Sequence, residues 1–167
     1  MVGEQDRRYG ERMNTKNNTQ AASVKDGRAE AVAKFLGCSV DELSLERYDH
    51  YGLETYSFGR EEYAVGTDAE ADQAAASYIK DSAWAFRAGF IIDECGLPCE
   101  MVEAIQALQE KKCEGANDSI LALIERSKGG LESFVESAVS ADGRGHFLSP
   151  YDGNENEEGG FFIYRIN

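Results

Sequence analysis

The spacing of apolar residues changes period twice along this chain of 167 residues, and that change limits the folds open to it. Between residues 54 and 66, apolar and aromatic side chains alternate with polar ones, as in half-buried β-strands. From residue 68 to about residue 140 they recur at intervals of three and four, as on the packed face of a helix. Residues 161–166 return to a strand-like run. Strands at both ends with helices between them predict an α+β domain, in which several helices pack on a small antiparallel sheet.

The strands are predicted from alternation and from turn residues. Residues 54–58 and 61–66 flank a short turn and are expected to form a hairpin. The run at 161–166 is expected to lie beside this hairpin in the same sheet. Residues 146–148 have the pattern of a further strand.

The helices are predicted from caps and stop signals. Asp26 is expected to cap a first helix that ends at Gly37, and Ser39 with Glu42 forms a capping box for a short turn over residues 40–45. The other predicted helices are one capped by Thr67 and running to about Phe86, a short one around residues 90–92 that ends at Gly96, one from Pro98 to about Lys112, one capped by Asn117 or Asp118 and closed by Gly129-Gly130, and a last one over residues 131–138.

Composition excludes several classes of protein. The chain carries 17 Lys and Arg against 31 Asp and Glu, a formal net charge of -14, while 42% of its residues are hydrophobic. This acidity argues against binding to nucleic acid or to an anionic membrane surface. No apolar run is long enough to span a bilayer, and the first residues lack the apolar core of a signal peptide. A cytoplasmic protein is therefore expected.

The charge is distributed unevenly along the chain. Residues 1–37 carry a net charge of +2 and residues 38–167 a net charge of -16, so the acidity belongs to the folded body. Residues 1–24 are polar, rich in Asn, Gln and Thr, and without period, which is typical of a flexible leader. We expect residues 25–167 to form a single domain.

The cysteines and histidines do not match a metal site or a catalytic motif. Cys95 and Cys99 form one C-x3-C pair without the second pair that structural zinc sites use, so these residues, Cys38 and Cys113 are expected to be free thiols that are buried or partly buried. Neither histidine stands in a catalytic signature. We therefore expect no catalytic residues, no metal and no cofactor, and predict that the protein is not an enzyme.

The acidic segment 152–158 resembles the start of a calcium loop, since Asp152, Asn154 and Asn156 stand at alternate positions. Glu157 occupies the position of the loop glycine, and Ile163 that of the bidentate glutamate. An acidic turn between two strands accounts for the same residues.

The strongest signal is the placement of glutamates along the predicted helices. On one helix they recur at steps that keep them on one face, and on the last helix two are four residues apart. Like charges at that spacing cost a few tenths of a kcal/mol each, so stability alone would not select them. A solvated face or adaptation to salt is the alternative explanation. The predicted partner-binding residues are Glu100, Glu103, Glu110, Glu114, Glu132 and Glu136.

Several stretches resemble a family of small, acidic accessory proteins of unknown function from bacteriophages and related mobile elements. The resemblance lies in FGREEY at 58–63, TDAEAD at 67–72, YIKDSAWAF at 78–86, GRGHFLSPYDG at 143–153 and FIYRIN at 162–167. It implies a phage-borne gene product that acts in the cytoplasm of a bacterial host. It carries over no activity and no site residues.

Three hypotheses of function follow. The first is an acidic inhibitor, of the anti-CRISPR or antirestriction type, that blocks the nucleic-acid channel of a basic host complex, either a nuclease or a CRISPR surveillance complex. The second is a structural or self-associating accessory protein, a homodimer in which an exposed C-terminal strand pairs with its copy. The third is a small-ligand domain or enzyme built on the loop Gly143–Gly153, with a pocket formed by Arg144, His146, Tyr151 and Asp152.

Overall fold

The alternating segments form the centre of a five-stranded antiparallel sheet. The computed structural model describes residues 27–111 and 114–167, with Glu114 described by its backbone alone. The strand order is β1-β2-β3-β5-β4. The strands are β1 (Ser44–His50), β2 (Leu53–Phe58), β3 (Glu61–Gly66), β4 (Asn156–Glu158) and β5 (Phe161–Arg165). The predicted leader, residues 1–24, and the expected cap Asp26 lie outside the described residues.

Seven helices accompany this sheet in the described part of the chain. They are α1 (27–36), α2 (Asp68–Asp81), α3 (Ala88–Cys95), α4 (Val102–Gln109), α5 (Glu114–Arg126), α6 (Gly130–Asp142) and α7 (Arg144–Leu148). Single turns of 3-10 helix occur at Val40–Glu42, Ala83–Ala85 and Cys99–Met101. None of the helices within these described ranges is long and apolar enough to cross a membrane.

Both faces of the sheet are covered, because its central strands carry apolar residues on both sides. On one face, Ala31 and Val32 of α1 pack against Tyr56, Tyr63 and Val65. On the other face lies the larger core, formed by α2 to α7 with inward side chains of the sheet. The α+β fold, the hairpin β2–β3 and the place of β5 beside β3 confirm the predictions. The capping boxes at Ser39 and Thr67 are also present.

The predicted strand at residues 146–148 is wrong, because this segment is the helix α7. Phe147 and Leu148 are both buried, and a strand would have directed these neighbours to opposite faces. Gly143, with φ 78° and ψ 155°, turns the chain from α6 into α7, a conformation that only glycine adopts readily.

Three predicted helix boundaries are also wrong. α2 ends at Asp81, and Asn117 is not a cap, because its side chain donates to the Lys80 carbonyl and accepts from the Trp84 amide, both at 3.0 Å. α5 begins three residues earlier, at Glu114. Pro98 precedes a 3-10 turn instead of opening the helix, and α4 spans only Val102–Gln109.

Two strands were not predicted. The expected helical turn over residues 40–45 stops at Glu42, and β1 begins at Ser44. Within the expected acidic turn, Asn156–Glu158 pairs with β5. As a result, β5 is hydrogen-bonded on both sides, by β3 and by β4. The prediction of an exposed C-terminal strand that pairs across a dimer is therefore wrong.

Candidate protein-binding surface

The predicted partner-binding glutamates lie on a group of packed helices. We call residues 83–142, the turn Ala83–Ala85 with α3 to α6, the helical lobe, and the remaining described residues the sheet half. The apolar faces of the lobe helices meet in the larger core, where Phe86, Phe90 and Phe134 pack with ring centroids 5.1 to 5.6 Å apart. Because these faces point inward, the charged faces of the same helices are turned to solvent.

Five of the six predicted residues have described side chains, and all five are exposed. Glu103 in α4 and Glu110, the C-cap residue after it, are about two helical turns apart on one side of this helix, with Glu100 in the 3-10 turn before it. Glu132 and Glu136 are one turn apart on α6. Glu114 is the first residue of α5.

These residues do not form one continuous face. α3 and α5 each pack against both α4 and α6, so they separate the two acidic helices. The structure therefore brings three of the glutamates together on α4 and its preceding turn, and places the other two on a separate helix.

Most carboxylates of the sheet half have internal partners. The cations that bind them are Arg28, Lys34, Arg144 and Arg165, which pair with Glu54, Glu70, Glu158, Asp68, Asp72, Glu155 and Glu61. Other carboxylates there accept hydrogen bonds, as Glu46 does from Ser57 at 2.7 Å. These side chains therefore serve the stability of the fold.

Carboxylates of the helical lobe whose side chains the structure describes lack such partners. Residues 83–142 carry eleven Asp and Glu against five Lys and Arg. Among the side chains of this lobe that the structure describes, no carboxylate lies within 4.0 Å of a cationic nitrogen or accepts a hydrogen bond from another residue. The lobe therefore presents an acidic surface whose described carboxylates are bound by no other side chain, although Glu100, Glu103 and Glu132 lie in first helical turns, where the helix dipole favours them.

The density of this charge is lower than that of nucleic acid. Glu103 and Glu110 are seven residues apart, about 10 Å along the helix axis. A single strand of DNA places one phosphate about every 3.4 Å along its axis. The α4 surface is suited to attracting a basic protein, while a charge-for-charge copy of DNA would need about three times as many carboxylates.

A cleft lies beside the acidic face of α4, and sequence reasoning did not predict it. It has a volume of about 500 Å³ and runs between residues 84–87 and the last turn of α4. Trp84, Arg87 and Gln106 line it, and the predicted residue Glu110 lies in its wall. The cleft thus gives the acidic surface an aromatic wall and polar groups.

Gln109 holds the two sides of this cleft together. Its Nε2 donates to the carbonyl oxygens of Trp84 at 2.9 Å and Phe86 at 2.5 Å. Since Asn117 binds the Trp84 amide, the backbone of this turn is fixed from two helices. The sequence contains a weak indication of these contacts. Backbone groups at a helix end have no partner within the helix, and polar side chains such as those of Gln109 and Asn117 can bind them.

The loop Gly143–Gly153 does not assemble the pocket that the third hypothesis requires. His146 is exposed, Tyr151 is 58% exposed and stacks on Arg165, and Asp152 accepts from the Asn154 amide at 2.9 Å. The Asp152 carboxylate also accepts from Ser149 at 2.7 Å. These side chains face different neighbours, so the loop has a structural role.

Arg144 is the centre of that structural role. Its side chain is 10% exposed, pairs with Asp68, Asp72 and Glu155 at 2.8 Å each, and lies 4.4 Å from the centre of the Phe162 ring. Burial alone would lower the pKa of Arg144, but its hydrogen bonds with Glu155 and Asp68 raise it far above its usual range. Arg144 therefore stays charged and joins α7 to α2 and to the segment before β4.

The cysteines with described positions are free thiols. Cys38 and Cys95 are partly buried, as predicted, whereas Cys99 is exposed, because it lies in the 3-10 turn before α4, and Cys113 lies outside the described residues. Burial raises the pKa of the Cys95 thiol, so this side chain is mostly protonated at neutral pH. Within the two described ranges, no group of three or more His, Cys, Asp or Glu side chains is placed to hold a metal ion.

Comparison with protein-family models, with curated proteins and with solved structures finds no match to this chain. A function can therefore be inferred only from the geometry and charge of the site itself.

Proposed function

We propose that this protein binds a basic protein complex through the exposed carboxylates of the helical lobe and acts as a non-enzymatic inhibitor. Its target would be a nucleic-acid-handling complex of host defence, a nuclease or a CRISPR surveillance complex, whose nucleic-acid channel the lobe would block. One observation carries the proposal: the lobe's described carboxylates have no partner inside the molecule, whereas those of the sheet half are largely paired.

Unpaired carboxylates at a surface favour association with a basic partner through long-range electrostatic attraction. A field of one sign attracts a Lys- and Arg-lined groove over several Å, which raises the association rate and makes affinity fall as salt rises. The same charges repel nucleic acid, so the protein would compete with nucleic acid for the groove without binding it. The acidic helix α4 and its neighbouring cleft would form the centre of the contact, with Trp84 as an aromatic anchor.

The biological setting comes from the resemblance to phage-borne accessory proteins. The segment GRGHFLSPYDG, which carries much of that resemblance, holds α7 and Arg144 in place and so belongs to the framework of the fold. The setting is thus a bacterial cytoplasm, where such an inhibitor would protect invading DNA.

Two matched triple variants test the proposal. The lobe variant carries Glu100→Lys, Glu103→Lys and Glu110→Lys. The control variant carries Glu30→Lys, Asp49→Lys and Glu157→Lys, which are exposed residues of the sheet half without ion pairs. Both change the net charge by the same amount, so a difference between them reports on location and not on total charge.

Each tagged protein is expressed in a bacterium with active CRISPR and restriction systems. Co-purified proteins are then identified, and the plating of phage is measured. We expect the wild type and the control variant to capture a nucleic-acid-handling complex and to restore phage growth, and the lobe variant to do neither. Intact immunity with no captured complex would contradict the proposed function. Equal capture by both variants would contradict the assignment to α4.

A further inference from the structure

Exposed apolar side chains of the described chain gather in the sheet half, away from the acidic lobe. The large hydrophobic residues that are more than a third exposed are Phe35 at 39%, Val40 at 42%, Leu45 at 56%, Tyr48 at 47% and Tyr151 at 58%. None of them comes from the described residues of the helical lobe. The molecule therefore has two surfaces of different chemistry.

Strand register places one of these residues, Leu45, at the end of a row of four residues that runs across the sheet. Leu45 is opposite Tyr56, Tyr56 is opposite Tyr63, and Tyr63 is opposite Arg165. Directly opposed residues point to the same face, and Tyr56 and Tyr63 point toward α1. Leu45 and Arg165 therefore lie at the two ends of one row on the α1 face, three strand spacings or about 14 Å apart.

Exposed side chains lie next to both ends of this row and against its middle. The Tyr151 ring lies 3.7 Å from the Arg165 guanidinium, and the Phe35 ring meets the Tyr63 ring edge-on with centroids 6.1 Å apart. Val40 lies in the 3-10 turn just before β1. We call Phe35, Val40, Leu45 and Tyr151 the apolar band. An aligned band of Tyr, Phe and Leu beside an Arg has the composition of a protein interface, which scattered surface residues do not.

We propose that the apolar band is a contact between two copies of this chain related by a two-fold axis. A two-fold axis through the middle of the row exchanges its ends, so Leu45 and Val40 of one copy meet Tyr151 of the other. The same exchange brings exposed Asp41, next to Val40, toward Arg165, which would then lie between Asp41 of the other copy and its own partner Glu61. The row is thus complementary to itself in apolar area, with one guanidinium between two carboxylates at each end.

The placement of charge also favours a second copy at this face. Two chains of net charge -14 repel each other, and they can approach most easily where carboxylates are already paired. Glu61, at the Arg165 end of the band, pairs with Arg165 at 2.7 Å. The helical lobe lies across the sheet from α1, so a dimer through the band would leave both lobes facing outward.

The sheet edges are poor alternatives for self-association. β1 has an irregular register between Leu45 and Asp49 and carries Glu46, Arg47 and Asp49 there. β4 has three residues, two of them acidic. Bulges, charges and short length are features that prevent edge-to-edge pairing. The contact is therefore face to face.

Sedimentation velocity of the full chain over a range of concentrations tests the proposal. We expect a monomer–dimer equilibrium that tightens as NaCl rises from about 0.05 M to about 0.5 M, because salt screens the repulsion between copies. The double variant Leu45→Ser with Tyr151→Ser should weaken dimerisation about tenfold or more, as removal of apolar anchors does. The control is Tyr48→Ser, since Tyr48 is similarly exposed but reaches Glu62 on the opposite face of the sheet. It should leave the dimer unchanged.

A monomer at all concentrations up to about 0.5 mM would overturn the proposal. So would a dimer that Tyr48→Ser weakens as much as the double variant does. Thermal unfolding of each variant provides a check on folding. If the wild type is monomeric and the double variant loses stability, the band is covered within the same chain, and the proposal is likewise contradicted.

Discussion

Gly145 shows how a single residue decides the local path of the chain. A Cβ atom at this position would lie 2.4 Å from the carbonyl oxygen of Gly153 and 2.9 Å from the amide of Glu155. Both neighbours are backbone, which cannot move aside as a flexible side chain would. Helix α7 can therefore lie against residues 153–155 only because residue 145 has no side chain. This contact sets the positions of Arg144 and of Phe147, one on each side of it.

Gly145→Ala should destabilise the protein by roughly 1 to 3 kcal/mol, because overpacking against backbone displaces the helix. The matched control is Gly89→Ala in α3, where a Cβ would meet nothing within 4 Å. Alanine is the better helix former, so the control should be neutral or stabilising by up to about 1 kcal/mol. Urea unfolding measures both. Equal stability of the two variants would contradict the close approach of α7 to residues 153–155.

His50 should make folding stability depend on pH. Burial lowers its pKa from 6.5, while a hydrogen bond to the backbone of Leu148 and the charge of Asp49 oppose this shift, and its Nε2 is buried without a partner. The folded state thus favours the neutral ring, and the unfolded chain binds more protons below pH 6.5. The contribution of His50 to the free energy of unfolding is therefore complete above pH 6.5, and it declines as the pH falls toward the pKa that His50 has in the folded state.

The variant His50→Gln isolates this effect from the many carboxylates. Unfolding free energies of both proteins, measured by urea titration between about pH 8 and about pH 5, should converge as pH falls, because only the wild type loses the contribution of His50. A difference between the two proteins that stays constant over this range would show that His50 has the same pKa in the folded and unfolded states.

At the scale of elements, Arg144 holds together three segments that are far apart in the sequence. It joins α7 to the first turn of α2 and to Glu155, just before β4. The Tyr164 hydroxyl donates to the same Glu155 carboxylate at 2.6 Å, and burial together with this bond raises the pKa of Tyr164. Without Arg144, Glu155 would remain next to a buried tyrosine with no cation beside it.

Arg144→Met should cost about 2 to 3 kcal/mol of folding free energy. This lies below the range for breaking a fully buried pair, because Asp68 and Asp72 are largely exposed. Arg126→Met, at an exposed site on α5, provides the control and should change stability by less than about 0.5 kcal/mol. Chemical denaturation of the two variants measures the difference. A cost at Arg144 no larger than at Arg126 would mean that the carboxylates around Arg144 do not depend on it.

Elements with a strong local signal could be predicted from the sequence, and those defined by distant contacts could not. The hairpin β2–β3 and the capped helix α2 have alternation and a capping box of their own. β1 is exposed along most of its length and has no alternation of buried residues, so it forms only because β2 offers it a partner. α7 has two adjacent apolar residues, a pattern that occurs in both strands and helices. It is a helix because this conformation allows Gly145 to pack against residues 153–155.

The candidate site was partly predictable for the same reason. Exposure of the glutamates follows from helical spacing, which depends on neighbours in the chain. Their division between α4 and α6 follows from how four helices pack, and no local pattern encodes it. The cleft at Trp84 likewise depends on Gln109 and Asn117 reaching backbone groups more than twenty residues away.

At the scale of the whole molecule, the two sides of the sheet would bind different partners. The acidic lobe would attract a basic complex, and the α1 face would hold a second copy. The two contacts should respond to salt in opposite directions, because one relies on attraction between unlike charges and the other must overcome repulsion between like charges. A dimer would also present two lobes, which raises the effective affinity for a complex that has two basic sites.

The most direct test of the central claim is the dissociation constant of the captured basic complex, measured against salt concentration for the wild type and both triple variants. The fluorescence of Trp84, the single tryptophan of the chain, reports the contact beside Glu110. We predict that the variant Glu100→Lys, Glu103→Lys, Glu110→Lys binds more weakly and with a shallower salt dependence, while the sheet-half control keeps the wild-type slope. Equal slopes for the two variants would contradict the claim that the unpaired carboxylates of α4 are the binding surface.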